Sequence, residues 1–216
     1  MRALGRGFAV LFLILPILAC AKPAPEPFQE GTQYQLINPP QPTDSGPNKV
    51  EVVEMFWYGC PHCFHLEPEL AAWLKHKPVN VDFVRIPAAL NPTWELLARA
   101  YYSAEELGVL DKIHTPLFHA IHELHTPMNS NADVVAFFVA HGVREADIRA
   151  AMTSFSVDTK VRNARQKGEH YGITGVPAII VNGKYRTDVG MAGSTANLFK
   201  VIDFLVRKES SAARGK

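Results

Sequence analysis

From Val50 to Tyr58 the chain is nearly continuous in apolar residues, the pattern of a strand covered on both faces. Glu54 breaks the run in its middle. Gly59 and the tetrad Cys60-Pro61-His62-Cys63 follow. Leu66, Leu70, Trp73 and Leu74 then recur at i, i+4, i+7 and i+8, one face of a helix reaching about Lys77. Pro68 in its interior predicts a kink. Val79, Val81 and Phe83 alternate across Val79 to Ile86 and predict a second strand. A strand, a helix and a strand in that order imply a parallel pair joined by a right-handed crossover.

Helical periodicity then takes over. Asn91-Pro92 offers a cap and an N1 proline to a helix running to Gly108. Leu110 to Leu124, interrupted at Thr115-Pro116, adds one or two more, and Asn131 is placed to cap Ala132 to Ala140, ahead of Gly142. Arg144 to Ser154 and Asp158 to Tyr171 read as two further helices. Asn182-Gly183 between two strand-like runs is a hairpin signal, and Pro177 stands at the opening of the first run, where a proline is tolerated. Ser194 or Thr195 starts a last helix with Leu198, Val201, Ile202, Leu205 and Val206 on one face. Beyond Arg207 the polar tail is expected to fray. Upstream, Tyr34 to Ile37 predicts a short edge strand before the turn-rich run Asn38 to Pro47. Lys22 to Gly31, with Pro23, Pro25 and Pro27, reads as a semi-rigid exposed tether.

The N-terminus has the layout of an export signal. Arg2 and Arg6 precede an apolar run from Phe8 to Leu18 that is too short to span a bilayer. Ala19-Cys20-Ala21 fits cleavage after Ala21, while Ile17-Leu18-Ala19-Cys20 resembles a lipobox that would leave Cys20 lipidated. On either reading Cys60 and Cys63 are left as a pair in an exported chain, where an oxidising compartment favours disulfide chemistry. With 216 residues and 47% apolar content the chain can bury a large core. Its net charge of +1, spread evenly, gives no argument for nucleic acid.

The position of the cysteines has a chemical consequence. They fall at a strand-to-helix junction with Pro61 at N1, where unpaired N–H groups and the helix dipole favour negative charge. A thiol placed there is driven toward thiolate. Cys60 is therefore expected to be exposed and nucleophilic, and Cys63, one turn in, buried and resolving. His62 between them can add a donor or a positive charge. Half of a zinc site with His62 and His65, or a purely structural disulfide, are the competing readings. Glu54 needs a polar partner or a raised pKa if it is buried, and could then take the proton of Cys63; otherwise it faces solvent on a wet strand. His119, His122 and His125 recur at i, i+3 and i+6, which suits a polar helix face better than a metal. His65 has no assignable role.

Phe56-Trp57-Tyr58-Gly59-Cys60-Pro61-His62-Cys63, the helical block, and Thr174-Gly175-Val176-Pro177 ahead of Val181-Asn182-Gly183-Lys184-Tyr185 together resemble the DsbA family of periplasmic thiol:disulfide oxidoreductases. The likeness covers roughly residues 33–208. It implies a thioredoxin fold over 33–90 and 158–208, with an all-helical domain inserted at 91–157, behind a signal segment at 1–21 and a tether at 22–32. It implies a cis bond at Val176-Pro177 facing the cysteines. Gly175, Val176 and Pro177 would then be the place where an extended substrate pairs with the backbone; an ordinary trans proline is the alternative. Cys60, Cys63, Pro61, His62 and Glu54 become the catalytic set, with a depressed Cys60 pKa and an oxidising couple inherited from the family. No cofactor or metal is implied. The implied partners are reduced, unfolded exported proteins and a DsbB-type membrane quinone reductase, with the protein acting as a monomer. A periplasmic reductase or isomerase, or a zinc-binding lipoprotein, are the alternatives.

Overall fold

The computed structural model describes residues 26–214; the signal segment, Cys20 and the first residues of the tether lie outside them. The chain runs β1 (Gln35–Leu36), β2 (Val50–Phe56), α1 (Pro61–His76), β3 (Val81–Pro87), α2 (Pro92–Glu106), α3 (Leu110–His122), α4 (Asn131–Ala140), α5 (Glu145–Met152), α6 (Phe155–His170), β4 (Ala178–Val181), β5 (Tyr185–Thr187), α7 (Val189–Ala192) and α8 (Thr195–Arg214). One sheet, ordered β1-β5-β4-β2-β3, holds the molecule together. β2 and β3 are parallel, in register from Val50 opposite Val81 to Phe56 opposite Pro87, while β4 lies antiparallel on the other side of β2.

The apolar run of β2 is explained by its place in the middle of that sheet. Val50 and Val52 point to a cluster built with Leu66 and Leu70 of α1 and Leu198, Val201, Ile202 and Leu205 of α8. Val53 and Met55 point to the opposite cluster with Leu97, Ile113, Phe118 and Val157 from the helical side. β4 alternates in the same way, Ile179 and Val181 to the first cluster, Ala178 and Ile180 to the second. A strand buried on both faces has no need of polar alternation.

Several elements differ from expectation. Val79 is outside β3 and 89% exposed, since Pro78 and Asn80 turn the chain before the ladder begins. Ser130, not Asn131, caps α4, in a capping box where Ser130 and Asp133 satisfy one another's backbone N–H groups. α6 starts at Phe155, because the Ser154 hydroxyl caps the Val157 N–H, so the expected start at Asp158 falls inside the helix. α7 went unpredicted; it is a single turn capped by Asp188 and closed by Gly193 at φ 85°. α8 runs on past Arg207 to Arg214 and buries Glu209, which accepts from Asn182, Lys184 and Tyr185. The end of the tether is docked: Phe28 packs edge-on against Phe204, and Glu26 pairs with Lys208. Pro68 and Pro116 both sit inside continuous helices.

The hairpin signal is realised as written. Asn182 and Gly183 both have positive φ, 53° and 64°, and the Lys184 N–H returns to the Val181 carbonyl. A β-carbon at Gly183 would lie 2.1 Å from the Gln41 carbonyl oxygen, so the position needs glycine on two counts.

Candidate active site

Trp57 to Cys60 forms the turn that leads from β2 into α1, closed by a 3.0 Å bond from the Cys60 N–H to the Trp57 carbonyl. Cys60 is the N-cap of α1, with extended φ and ψ, and Pro61 occupies N1. The side chain of Cys60 caps nothing, so its sulfur is left for chemistry. Cys63 lies one turn in and is fully buried. Cys60 departs from expectation: it is only 8% exposed, because the loop before β4 covers it, and its thiol donates to the Val176 carbonyl at 3.3 Å. The Val176-Pro177 bond is cis. A second cis bond, Asn38-Pro39, lies in the turn-rich run and had no signal in the sequence.

The two thiols are driven apart. Cys60 is lowered from 9.0 to about 6, first by the hydrogen bond from the Cys63 thiol. Burial opposes this, and the backbone N–H groups of Cys63 and His62 then add to the lowering. The charge of His62 is the last contribution, so His62 acts more through its backbone than through its ring. Cys63 is pushed far up, chiefly by burial and then by its bond to Cys60. One sulfur thus takes the negative charge and the other keeps its proton.

Glu54 is completely buried under this site. Burial raises its pKa from 4.5 to about 7, against the attraction of Arg85. The Arg85 Nε donates to Glu54 Oε2 at 3.0 Å, and the guanidinium reaches on to both oxygens of Glu67 at 2.9 Å. Glu54 Oε1 has no hydrogen-bond partner among the described residues. Glu67 in turn lies 3.5 Å from His114 Nε2, and His114 Nδ1 is 2.8 Å from the hydroxyl of Tyr58. Arg85, Glu67 and His114 were missed from the sequence. A signal was available for His114, which sits among Leu110, Leu117 and Phe118 at helical spacing, on the apolar face of α3.

An open groove of about 770 Å³ runs beside the cysteines. It is lined by His62 and His65 of α1, Gly175 to Pro177, and the loop around Asp188. His65 thereby gains a place on the groove wall. The series of histidines on α3 scatters: His119 pairs with Glu123, His122 bonds the Tyr58 carbonyl at 2.7 Å, and His125 is exposed beyond the helix at φ 52°.

Residues 51–200 match the family described as DSBA-like thioredoxin domain. The chain is 36% identical over 187 residues to the thiol:disulfide interchange protein DsbA of Pseudomonas aeruginosa, covering 87% of this chain and 88% of that one. The protein of the same name from Pseudomonas syringae is 37% identical over 191 residues, 88% and 89% of the two chains. Among solved structures, Pseudomonas aeruginosa DsbA superposes with a TM-score of 0.82 at 35% identity, over 87% of this chain and 97% of that one. The oxidoreductase DsbA from Xylella fastidiosa gives 0.78 at 31%, over 85% and 98%. The central sheet with its cysteine-bearing helix is a thioredoxin fold carrying a helical insertion, and the chain belongs to the DsbA-like thioredoxin domain family.

Proposed function

We propose that the protein is a periplasmic thiol:disulfide oxidoreductase that donates its Cys60–Cys63 disulfide to exported, folding proteins. The observation that carries this reading is the opposed pair of thiols at the head of α1, one favouring thiolate and one favouring its proton. A substrate thiolate attacks Cys60 Sγ, the Cys60–Cys63 bond breaks, and Cys63 leaves and takes up a proton. A second substrate thiolate then attacks the substrate sulfur of the mixed disulfide and expels Cys60 as thiolate. Two substrate thiols are oxidised to one disulfide, and the cysteine pair is reduced. A leaving thiolate of low pKa departs fast and makes the pair oxidising. We assign to Glu54, neutral or charged near pH 7, the exchange of the Cys63 proton, a role supported by its influence on that thiol.

Gly175, Val176 and Pro177 present backbone to an extended substrate along the groove, with His62 and His65 opposite. While Cys60 is protonated it occupies the Val176 carbonyl; ionisation or oxidation releases that acceptor. We assign residues 91–157 to the inserted domain and 33–90 with 158–208 to the thioredoxin-like domain. Reoxidation falls to a DsbB-type membrane quinone reductase, and the protein works as a monomer, released by cleavage after Ala21 or held at the membrane by a lipidated Cys20. Oxidation of a reduced dithiol peptide tests the assignment: Cys60→Ser should abolish it, and wild-type rates in that variant would end the reading. Equilibration with glutathione separates an oxidant, fully reduced by dilute glutathione, from a reductase.

A further inference from the structure

Tyr58 is held at both ends by one helix of the insertion. Its ring is buried and its hydroxyl is 2.8 Å from His114 Nδ1. Its carbonyl accepts from His122 Nε2 at 2.7 Å. Both histidines belong to α3, eight positions apart, just over two turns, which puts them on one face. Tyr58 is the second residue of the turn closed by the Cys60 N–H and the Trp57 carbonyl. Whatever fixes Tyr58 fixes the direction in which the chain delivers Cys60 to the head of α1.

We propose that His114 and His122 are positioning residues for the thiol chemistry: they clamp Tyr58 from the insertion and so hold the turn that presents the Cys60 sulfur. This rests on the role proposed above for Cys60.

The surroundings of the two rings make the clamp specific. His114 is packed edge-on among Phe56, Tyr101 and Phe118, with centroids 5.4, 6.1 and 5.3 Å away. Tyr58 and Glu67 are the polar groups its two nitrogens meet. Burial keeps the Tyr58 hydroxyl protonated and it shares a 2.8 Å hydrogen bond with His114 Nδ1, while His114 Nε2, buried and without a hydrogen-bond partner among the described residues, lies 3.5 Å from Glu67. His114 thus brings the turn up against the Glu67–Arg85–Glu54 chain below the cysteines. His122 lies stacked on Phe64, 5.0 Å between centroids at 13°, next to Cys63 in α1. Its Nε2–H meets a carbonyl in the middle of a turn, where no strand or helix supplies a donor. The lowering of Cys60 comes first from the Cys63 thiol and then from the backbone N–H groups of Cys63 and His62, and such donors count only while the sulfur stays in place.

The experiment is a pH titration of Cys60 thiolate absorbance in the reduced protein, paired with its equilibrium with glutathione. His122→Leu should move the midpoint upward by about one unit and shift the glutathione equilibrium at pH 7 about fivefold toward the disulfide form. His122→Gln, which keeps an N–H near the Nε2 position, should restore most of both. Tyr58→Phe keeps the buried ring and removes only the His114 contact, and should give a smaller shift of the same sign in a protein that folds normally. A thiolate midpoint unchanged in both His122→Leu and Tyr58→Phe overturns the clamp. An ordinary alkaline midpoint in the unsubstituted protein overturns the thiol reading itself, and the clamp with it.

Discussion

Cys60 and Cys63 differ by one turn of helix and by which of them can bear a charge. At pH 7 a thiol with its midpoint near 6 is roughly tenfold more abundant as thiolate than as thiol. The largest single cause is the Cys63 thiol, so Cys63→Ala should raise the Cys60 midpoint, not merely strand a mixed disulfide; thiolate absorbance against pH reads the change. Glu54 carries a second prediction. Its folded pKa is raised toward 7 from 4.5, so the native state binds the extra proton between those values, and stability falls as pH rises through that window. The loss is on the order of 3 kcal/mol at full ionisation. Glu54→Gln should flatten the slope of unfolding free energy between about pH 4.5 and 7, measured by urea titration at several pH values. Placing the two cysteines needed no structure, since their spacing and the proline fix them at a helix head. The low exposure of Cys60 was not legible, because the loop that covers it arrives from 116 residues away.

At the scale of elements, the strand and helix periodicities carried most of the reading. A continuous apolar run marks β2, alternation marks β3, a helical stripe marks α1, and Asn-Gly marks the β4–β5 hairpin. The misses have local causes. Ser130 outcompeted Asn131 because a capping box satisfies two donors where a lone Asn satisfies one. The end of α8 was read as frayed because its residues are polar, yet Glu209 is buried by three donors from the hairpin, a contact invisible along the chain. The hairpin gives the sharpest test here. Gly183→Ala forces a β-carbon into the Gln41 carbonyl at a positive φ. It should cost roughly 2–3 kcal/mol in denaturant unfolding, within the range for strained backbone positions. Thiol reactivity should be unaffected, since the hairpin closes the far end of β4 from Pro177.

For the whole molecule, the thiolate of Cys60 exists only in the reduced form, and its stabilisation belongs to the folded state. A depressed folded pKa contributes stability above the unfolded value, lost as pH falls through the folded one. The reduced protein should therefore gain stability over the oxidised one as pH rises from about 6 toward 9, by on the order of 1 kcal/mol at pH 7. Parallel denaturation curves of the two forms across that range would expose a flat difference if the charge were not retained by the fold. Membership of the family was legible because its motifs lie in short stretches. The polar chain from Glu54 through Arg85, Glu67 and His114 to Tyr58 was not, since it draws on β2, β3, α1 and α3, which only the tertiary fold brings together.

Glu26 and Phe28 rest on the last turns of α8, beside Lys208 and Phe204, the same end of that helix that receives the β4–β5 turn. Pro177 and the cysteines lie at the opposite end of β4. A lipid, a surface linkage or an affinity handle joined upstream of Glu26 would hold the protein by its heel, leaving the sulfur-bearing end turned outward and open to passing chains.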